Sequence, residues 1–349
     1  MARRKSDFTK IMADGFSRIF GISSMGFKPK IQSSDDTLSK DSAKSEKGEN
    51  GKNGKKGGKG EKTSFDYRVE GWKRAIFRFR RNPLSILGLV IVLSMILMGA
   101  FAEYLAPYPE DAYSVKWSEK LLPPSSDHLM GTDEVGRDIF SRIMFAARVD
   151  ITAALAVQII VTVIGVTLGL VAGYSGGRIN DVIMRLADIF ITIPPLILAL
   201  AATTAFTPNV TTAVLAVTVA WWPWYARLVQ SLVLSVKEEQ YIEASQSMGK
   251  SAFSIIFGDV FPNIISVIIV KFTLDIGFVI LFLSSLSFLG LGVQPPTPAW
   301  GTMITEGKTY LPERWWMSTF PGIFILLTVI GFSLLGDGIR DAFDVQLEE

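Results

Sequence analysis

The sequence contains no cysteine among its 349 residues and only one histidine, His128. The lack of cysteine excludes disulfides, thiolate nucleophiles and cysteine-ligated metals. One histidine cannot form a histidine-rich metal site, so we expect His128 to be an ordinary loop residue. Met248-Gly249-Lys250-Ser251 resembles the end of a phosphate-binding loop, but Ala244 stands where that loop needs its upstream glycine. We therefore expect no directly bound cofactor or metal and no ATP hydrolysis by this chain.

Charged residues are also scarce, at 19%, whereas hydrophobic residues make up 49% and are concentrated in long blocks. A helix needs roughly 20 apolar residues to cross a hydrocarbon core of about 30 Å. Several blocks reach that length. The sequence predicts an all-α integral membrane protein with about six transmembrane helices, near 84–105, 151–172, 189–207, 211–235, 263–285 and 320–338.

The chain before the first block is polar and basic, with about twenty of the 35 Lys and Arg lying before Ser85. Such charge next to a membrane span indicates a cytoplasmic anchor rather than a nucleic-acid site. We predict that residues 1–65 form a cytoplasmic tail. Within it, 8–20 has the spacing of an amphipathic helix and 31–63 is a Gly/Lys-rich disordered linker. Residues 66–83 form a basic juxtamembrane segment.

The excess of basic residues at the N-terminus sets the expected orientation. Both termini are then cytoplasmic, as is the loop 237–262, and 106–150 is an extracytoplasmic loop. Residues 151–345 would form the core domain, with five spans. The loop 106–150 opposes this orientation because it carries five basic residues, but the N-terminal cluster is much denser.

The cytoplasmic loop 237–262 is the most informative segment. It reads as two short helices broken at Gly249, the second over about 251–258, with Pro262 at the return to the membrane. Phe253, Ile256 and Phe257 lie on one face of that second helix. A short exposed helix beside a small-residue turn suits docking into a groove on another protein.

The loop resembles the EAA loop of ABC importer permeases. Glu243-Ala244-Ser245, Gly249 and Phe261-Pro262 keep the spacing of that pattern, although Ser245, Asp259 and Phe261 differ from its usual residues. In that family the loop contains the coupling helix, which sits in a cleft of the ATPase subunit. The resemblance implies an ATPase-docking role for a set of seven residues: Glu243, Ala244, Ser245, Gly249, Phe253, Phe257 and Pro262.

Further segments, including RRNPLSILGL, HLMGTDEVGRDIFSR and LSFLGLGVQPPTPAWG, resemble the C-type permease of dipeptide, oligopeptide and nickel importers. The resemblance covers about residues 70–345 and implies the type I importer permease fold. It also implies several partners: a B-type permease subunit, two ABC ATPase subunits that use ATP and Mg²⁺, and an extracytoplasmic substrate-binding protein. The expected location is the cell membrane of a bacterium or archaeon.

Two groups of polar residues allow more than one interpretation. The first group, which we call the outer-loop set, lies in the loop 106–150. It can form a phosphate or metal site, but we favour a scaffold in which an Asp caps a helix and Arg137 pairs with Asp138. Lys271 and Asp275 lie one turn apart in the fifth span, either as a buried ion pair or bordering the translocation path. The outer-loop set comprises Gly131, Thr132, Asp133, Gly136, Arg137 and Asp138.

The resemblance implies a substrate class less firmly than a fold. Peptides are the first expectation, with oligosaccharides or nickel as alternatives. Trp221, Trp222 and Trp224 can stack on sugars, although an aromatic belt or helix packing is the simpler interpretation. An ion-coupled carrier is the alternative from a different class, and it would use Lys271 and Asp275 as an ion path. The sequence shows no nucleophile paired with a general base, so we do not expect a membrane enzyme.

Overall fold

The computed structural model describes residues 75–343. Every named element in this range is helical, and β pairing is limited to one isolated bridge between Thr132 and Asp138. The predicted all-α class is confirmed here. The predictions for the tail 1–65, and for residues 66–74 of the basic segment, lie outside the described residues. Residues 75–81 are helical.

The α-helices from residue 83 onward are numbered in chain order. The first, α1, is capped by Asn82, whose side chain accepts a hydrogen bond from Leu84 N–H at 3.0 Å. Pro83 occupies the first turn, where its missing N–H costs nothing. The helices are α1 Pro83–Ala100, α2 Ala102–Leu105, α3 Ile139–Ser175, α4 Gly177–Thr192, α5 Pro195–Thr204, α6 Val210–Lys237, α7 Gln240–Ser247, α8 Ala252–Ile255, α9 Phe261–Phe288, α10 Trp300–Lys308 and α11 Trp316–Phe343.

The third predicted span, 189–207, is wrong as a single helix. The chain instead forms α4 and α5, which are bent by 89° at the break between them. The cause is Pro194-Pro195. A residue before proline is driven out of the helical region, and Ile193 accordingly has φ −88° and ψ 127°. Pro195 then starts α5, so this part of the chain has the form of a broken span or a re-entrant loop.

The number of spans depends on how α6 is counted. Within 75–343, four helical runs are long and apolar enough to cross a membrane, and α4 with α5 gives a fifth if the bent pair is one span. Those four are Pro83–Ala100, Ile139–Ser175, Ala252–Phe288 and Trp316–Phe343. Helix α6 has 28 residues, but its stretch Trp221–Arg227 is rich in aromatic and polar groups. The total of six stays a prediction.

Helices α3 and α6 pack closely along a row of glycines. Gly165, Gly169 and Gly173 recur every four residues of α3. A methyl group at Gly169 would lie 2.7 Å from the carbonyl oxygen of Ala226, and one at Gly173 would lie 2.7 Å from Val233 Cβ. Small residues at this spacing let two backbones approach in a membrane. This contact fixes α6, which carries the cytoplasmic loop at its end.

Candidate functional site

The loop 237–262, predicted to be cytoplasmic, folds as two short helices around a glycine turn. Helix α7 ends at Ser247, Gly249 adopts a left-handed φ of 74°, and Ser251 precedes α8 as its N-cap. The predicted first helix and the predicted break at Gly249 are therefore present. The predicted second helix, 251–258, is wrong in length, because α8 ends at Ile255 and a π-helical turn, Ile256–Val260, follows.

The π turn has a local physical cause. Proline inside a helix lacks an N–H and clashes with the carbonyl four residues earlier. For Pro262 that carbonyl belongs to Gly258. The turn widens, so the Phe261 N–H donates to the Ile256 carbonyl five residues back. Pro262 therefore shapes the entry into α9, and the seven-residue set is joined to the membrane helix without an intervening loop.

Five of the seven predicted docking residues are exposed, and two are not. Glu243, Ala244 and Gly249 face solvent, and the side chains of Phe253 and Phe257 are 71% and 50% exposed. Their two rings lie against each other at 4.5 Å between centroids. Exposed paired aromatics on a short helix are typical of a protein contact. We refer to α7, α8 and the residues between them, 240–255, as the docking knob.

The other two residues of the set serve the fold. Ser245 is 5% exposed and points inward together with Ile242, and Pro262 is half-buried at the start of α9. Ile242 and Ile255 are both buried, so each helix of the knob is anchored by one apolar side chain. The knob therefore presents one face outward and holds the other against the protein.

Polar contacts tie the knob to the start of α9. The Lys250 ammonium lies 3.0 Å from the Asp259 carboxylate, and the Asn263 amide donates to the Tyr241 hydroxyl at 3.0 Å and to the Asp259 carbonyl at 2.5 Å. Partial burial raises the pKa of the Tyr241 phenol, and the carboxylates of Glu239 and Asp259 raise it further. Asp259, unusual for the EAA pattern, thus has a partner within the loop.

An apolar cavity of about 670 Å³ adjoins the knob. It lies between the C-terminal half of α3, the exposed phenylalanines and the first turns of α9. Phe253 lines it from the knob, Phe257 from the π turn, Leu170 from α3, and Ile265 and Phe272 from α9. This cavity was not predictable from the sequence, because its walls come from segments about a hundred residues apart.

Lys271 and Asp275 form the ion pair that their spacing predicts. The ammonium lies 2.9 Å from the carboxylate, with side-chain exposures of 27% and 10%. Helix α6 completes the cluster: the Trp221 indole donates to Asp275 at 3.3 Å, and the Tyr225 ring centroid lies 5.1 Å from Lys271. Gln158 of α3 donates to the Tyr225 hydroxyl. Sequence reasoning missed Tyr225 and Gln158, which only tertiary contact brings here.

The tryptophans have partners in the protein. Trp221 also packs edge-on against Phe282 at 4.8 Å, and Trp222 is buried against Phe190 at 5.8 Å between centroids. These contacts favour helix packing over sugar stacking for these two residues.

The outer-loop residues build a buried charge network that includes a different ion pair from the one predicted. Arg137 pairs with Asp133, at 2.6 Å between Nε and the carboxylate, and not with Asp138. The reason is that Asp138 is engaged twice, as the N-cap of α3 through Ser141 N–H at 2.8 Å and by His128 at 2.9 Å. His128 is 6% exposed, so it is a structural residue rather than an ordinary loop histidine.

The network extends to α10. Asp133 also binds Arg142, and Glu306 lies 2.7 Å from Arg142 and 3.3 Å from Arg137. Gly131 and Gly136 supply the positive φ values of the turn, 76° and 84°, and Thr132 pairs with Asp138 in the isolated bridge. Within residues 75–343 no cluster of three potential metal ligands occurs. These contacts support the scaffold interpretation.

Acidic partners also account for much of the positive charge in this loop. Arg148 pairs with Glu103 at 2.9 Å, and Lys116 pairs with Asp111 at 2.8 Å. The hydrogen bond to Asp111 raises the pKa of Lys116. Because the arginines of this loop serve the fold, their presence does not require a cytoplasmic position.

The long apolar helices and the bent pair α4–α5 define the class of this chain: a multi-pass, all-α membrane protein. Residues 165–348 match the family described as the binding-protein-dependent transport system inner membrane component. Residues 71–124 match the N-terminal TM domain of oligopeptide transport permease C. The chain belongs to this family of inner-membrane permease components.

Curated relatives agree with that assignment. The dipeptide transport system permease protein DppC of Escherichia coli (strain K12) is 41% identical over 278 residues, 78% of this chain and 92% of the relative. The probable D,D-dipeptide transport system permease protein DdpC of the same strain is 40% identical over 78% of this chain and 90% of its own. The oligopeptide transport system permease protein OppC of Bacillus subtilis (strain 168) is 37% identical, over 80% and 90%.

Among solved structures, the inward-facing MetNI methionine ABC transporter matches with a TM-score of 0.49 and 17% identity. The match covers 58% of this chain and 97% of that one.

Proposed function

We propose that this chain is the transmembrane permease subunit of an ATP-driven, binding-protein-dependent importer, and that it forms half of the translocation pathway for di- or oligopeptides. The observation that carries the proposal is the docking knob: the exposed Phe253 on its short second helix pairs with Phe257 of the π turn, and Tyr241 is bonded to α9, in a chain of this family. The peptide assignment is supported by relatives whose names specify dipeptide and oligopeptide transport.

In the proposed mechanism the chain has no nucleotide site of its own. Two ATPase subunits hold ATP and Mg²⁺, a B-type permease supplies the other half of the pathway, and an extracytoplasmic binding protein delivers the cargo. The knob enters a cleft of one ATPase subunit. When the ATPase subunits close, the knob moves with them as a rigid body and carries α6 and α9 along. The pathway then switches between its inward- and outward-facing states.

A reconstituted complex tests the proposal. The chain, its partner permease, both ATPases and the binding protein are placed in liposomes, and ATP-dependent uptake of a labelled dipeptide is measured. Removing a central aromatic from an interface costs on the order of 1–2 kcal/mol, or about tenfold in affinity. Phe253→Ala is therefore expected to weaken ATPase binding about tenfold and to lower uptake. Tyr104→Ala, an 84% exposed aromatic of α2, is the control and is expected to change neither.

Gly249→Asp is the stronger perturbation of the same surface. Nothing lies within 4 Å of a side chain added there, and Asp is one of the few residues that adopt a left-handed φ such as 74°, at a cost of roughly 1–2 kcal/mol. The fold and membrane insertion are therefore expected to survive. A bulky charge on the outward face would still block docking, and ATP-driven uptake is expected to vanish. Normal uptake by this variant would refute the assignment of the knob. If the complex took up an oligosaccharide or nickel instead of the dipeptide, the proposed role as a permease subunit would stand and the proposed peptide substrate would be wrong.

A further inference from the structure

Helix α4, the inner half of the broken span, has three distinct faces. One packs against α3 and α6 through Met184 and Ala187, both buried. A second, apolar stripe is exposed although it is hydrophobic; it consists of Ile179, Val182, Leu186 and Ile189. The third face, which we call the polar stripe, is also exposed and consists of Arg178, Asp181, Arg185, Asp188 and Thr192. Its members are spaced three or four residues apart, so they form one line along the helix.

Helix α4 runs alongside α6. The Gln230 amide donates to Asn180 at 3.1 Å, Arg227 pairs with Asp188, and Phe190 packs on Trp222. Helix α4 therefore runs antiparallel to α6. Arg227 lies ten residues before the end of α6 at Lys237, or about 15 Å along its axis. In the predicted orientation that end is cytoplasmic, so the stripe occupies the inner half of the membrane.

Three of the charges in the stripe have no ion pair within residues 75–343. These are Arg178, Asp181 and Arg185, and all three are exposed. Charged side chains at membrane depth are costly against lipid, by roughly 2.5–3.5 kcal/mol at a helix centre, unless they are paired or face water. The neighbouring apolar stripe already provides a face suited to lipid or to another helix. The two exposed faces of α4 therefore lie against different surroundings, and the polar one requires water.

We infer that the polar stripe of α4 lines the cytoplasmic half of the translocation path and contacts the charged groups of a zwitterionic cargo. This inference rests on the proposed transport function. The three charges without an ion pair alternate in sign, Arg178, Asp181, Arg185, so that both an ammonium and a carboxylate meet a counter-charge there, while Asp188 is held by Arg227. Shallow, repeated sites of this kind let a charged solute enter and leave, whereas one deep site would trap it.

The natural absence of cysteine provides a direct test. Single cysteines are introduced along α4 of the full complex, and a membrane-impermeant thiol reagent is applied from the cytoplasmic side. We expect fast labelling on the polar stripe and at least tenfold slower labelling on the apolar stripe. On the polar stripe, labelling should fall when the complex is trapped with ATP and vanadate. The variants are Arg178→Cys, Asp181→Cys and Arg185→Cys on the polar stripe, and Val182→Cys, Leu186→Cys and Ile189→Cys on the apolar stripe.

Other outcomes overturn the inference in distinguishable ways. Slow labelling of the polar stripe in every state would mean that another subunit covers it. Equal labelling of both stripes would mean that α4 lies outside the membrane. Each variant is scored only in complexes that retain ATP-driven uptake. If the unmodified complex shows no such uptake, the proposed function fails; if it transports and the polar stripe is silent, only the inference fails.

A charge variant adds a measurement that would not change if the residue had only a structural role. Arg185→Glu is expected to shift uptake by several fold from an acidic dipeptide toward a basic one, and Arg185→Lys to preserve the native preference. An unchanged preference in Arg185→Glu would exclude contact between this residue and the cargo.

Discussion

The Lys271–Asp275 pair allows a quantitative test of how the charges inside this helix bundle are held. Asp275 is 7% exposed and receives hydrogen bonds from Lys271 and from Trp221. Breaking a buried pair by removing one partner costs roughly 3–5 kcal/mol. Lys271→Met leaves the more buried charge alone, so we expect a loss of about 3 kcal/mol. Asp275→Leu leaves Lys271, whose side chain is 27% exposed, near water, and we expect about 2 kcal/mol.

The double variant is expected to differ from the sum of these losses. Replacing both members of a buried pair with apolar residues of similar volume is often neutral. Lys271→Met with Asp275→Leu should therefore cost no more than about 1–2 kcal/mol, giving a coupling energy of at least about 3 kcal/mol. Equilibrium unfolding of the four proteins in detergent micelles measures each value. Losses that add to within about 0.5 kcal/mol would refute the reasoning, because they would show that the two charges do not stabilise each other.

Transport by the same double variant separates the two interpretations of the pair. If stability is recovered and ATP-driven uptake is near normal, the pair is structural. If stability is recovered and uptake is lost, the charges themselves serve transport, as expected of residues that border the path. Lys271→Cys labelling by a water-soluble reagent gives the corresponding accessibility.

Two further predictions concern the scaffold. Gly169→Ala should destabilise the chain by about 1–3 kcal/mol through overpacking against α6, whereas Gly322→Ala, with open space around the added methyl group, should be neutral or stabilising by up to about 1 kcal/mol; equal effects in thermal unfolding would contradict the close helix contact. Asp138→Ala should cost about 0.5–2 kcal/mol because the N-cap of α3 is lost, and Asp138→Asn should retain most of that stability; an Asn variant as unstable as Ala would show that pairing with His128 matters more than capping.

Local signals in the sequence were enough to predict the features that depend on neighbours along the chain. The glycine turn of the docking knob follows from Gly249, and the Lys271–Asp275 contact follows from a spacing of one helical turn. Contacts across helices were not predictable in this way. Trp221 and Asp275 are 54 residues apart, and nothing in either local pattern selects the other.

The errors have physical causes that hydropathy does not report. The third span was predicted as a single helix because its apolar residues continue through the break, although Pro194-Pro195 carried the signal for a bend. In the outer loop, Arg137 was assigned to its sequence neighbour Asp138, but the buried Asp133 was the available acceptor. Hydropathy also ranks α6 below the other long helices, since it does not credit aromatic residues that are buried in the bundle.

The ties between the docking knob and α9 have a mechanical consequence. Lys250 is linked to Asp259 of the π turn, and Tyr241 is linked to Asn263 in the first turn of α9, so the knob is held at two points at the entry to that helix. A displacement of the knob would thus move α9 with it, because the connection between the two is short and is held by side-chain contacts. Lys271 sits two turns further along, about 12 Å from Asn263, so even a small rotation at the knob would sweep this charge sideways.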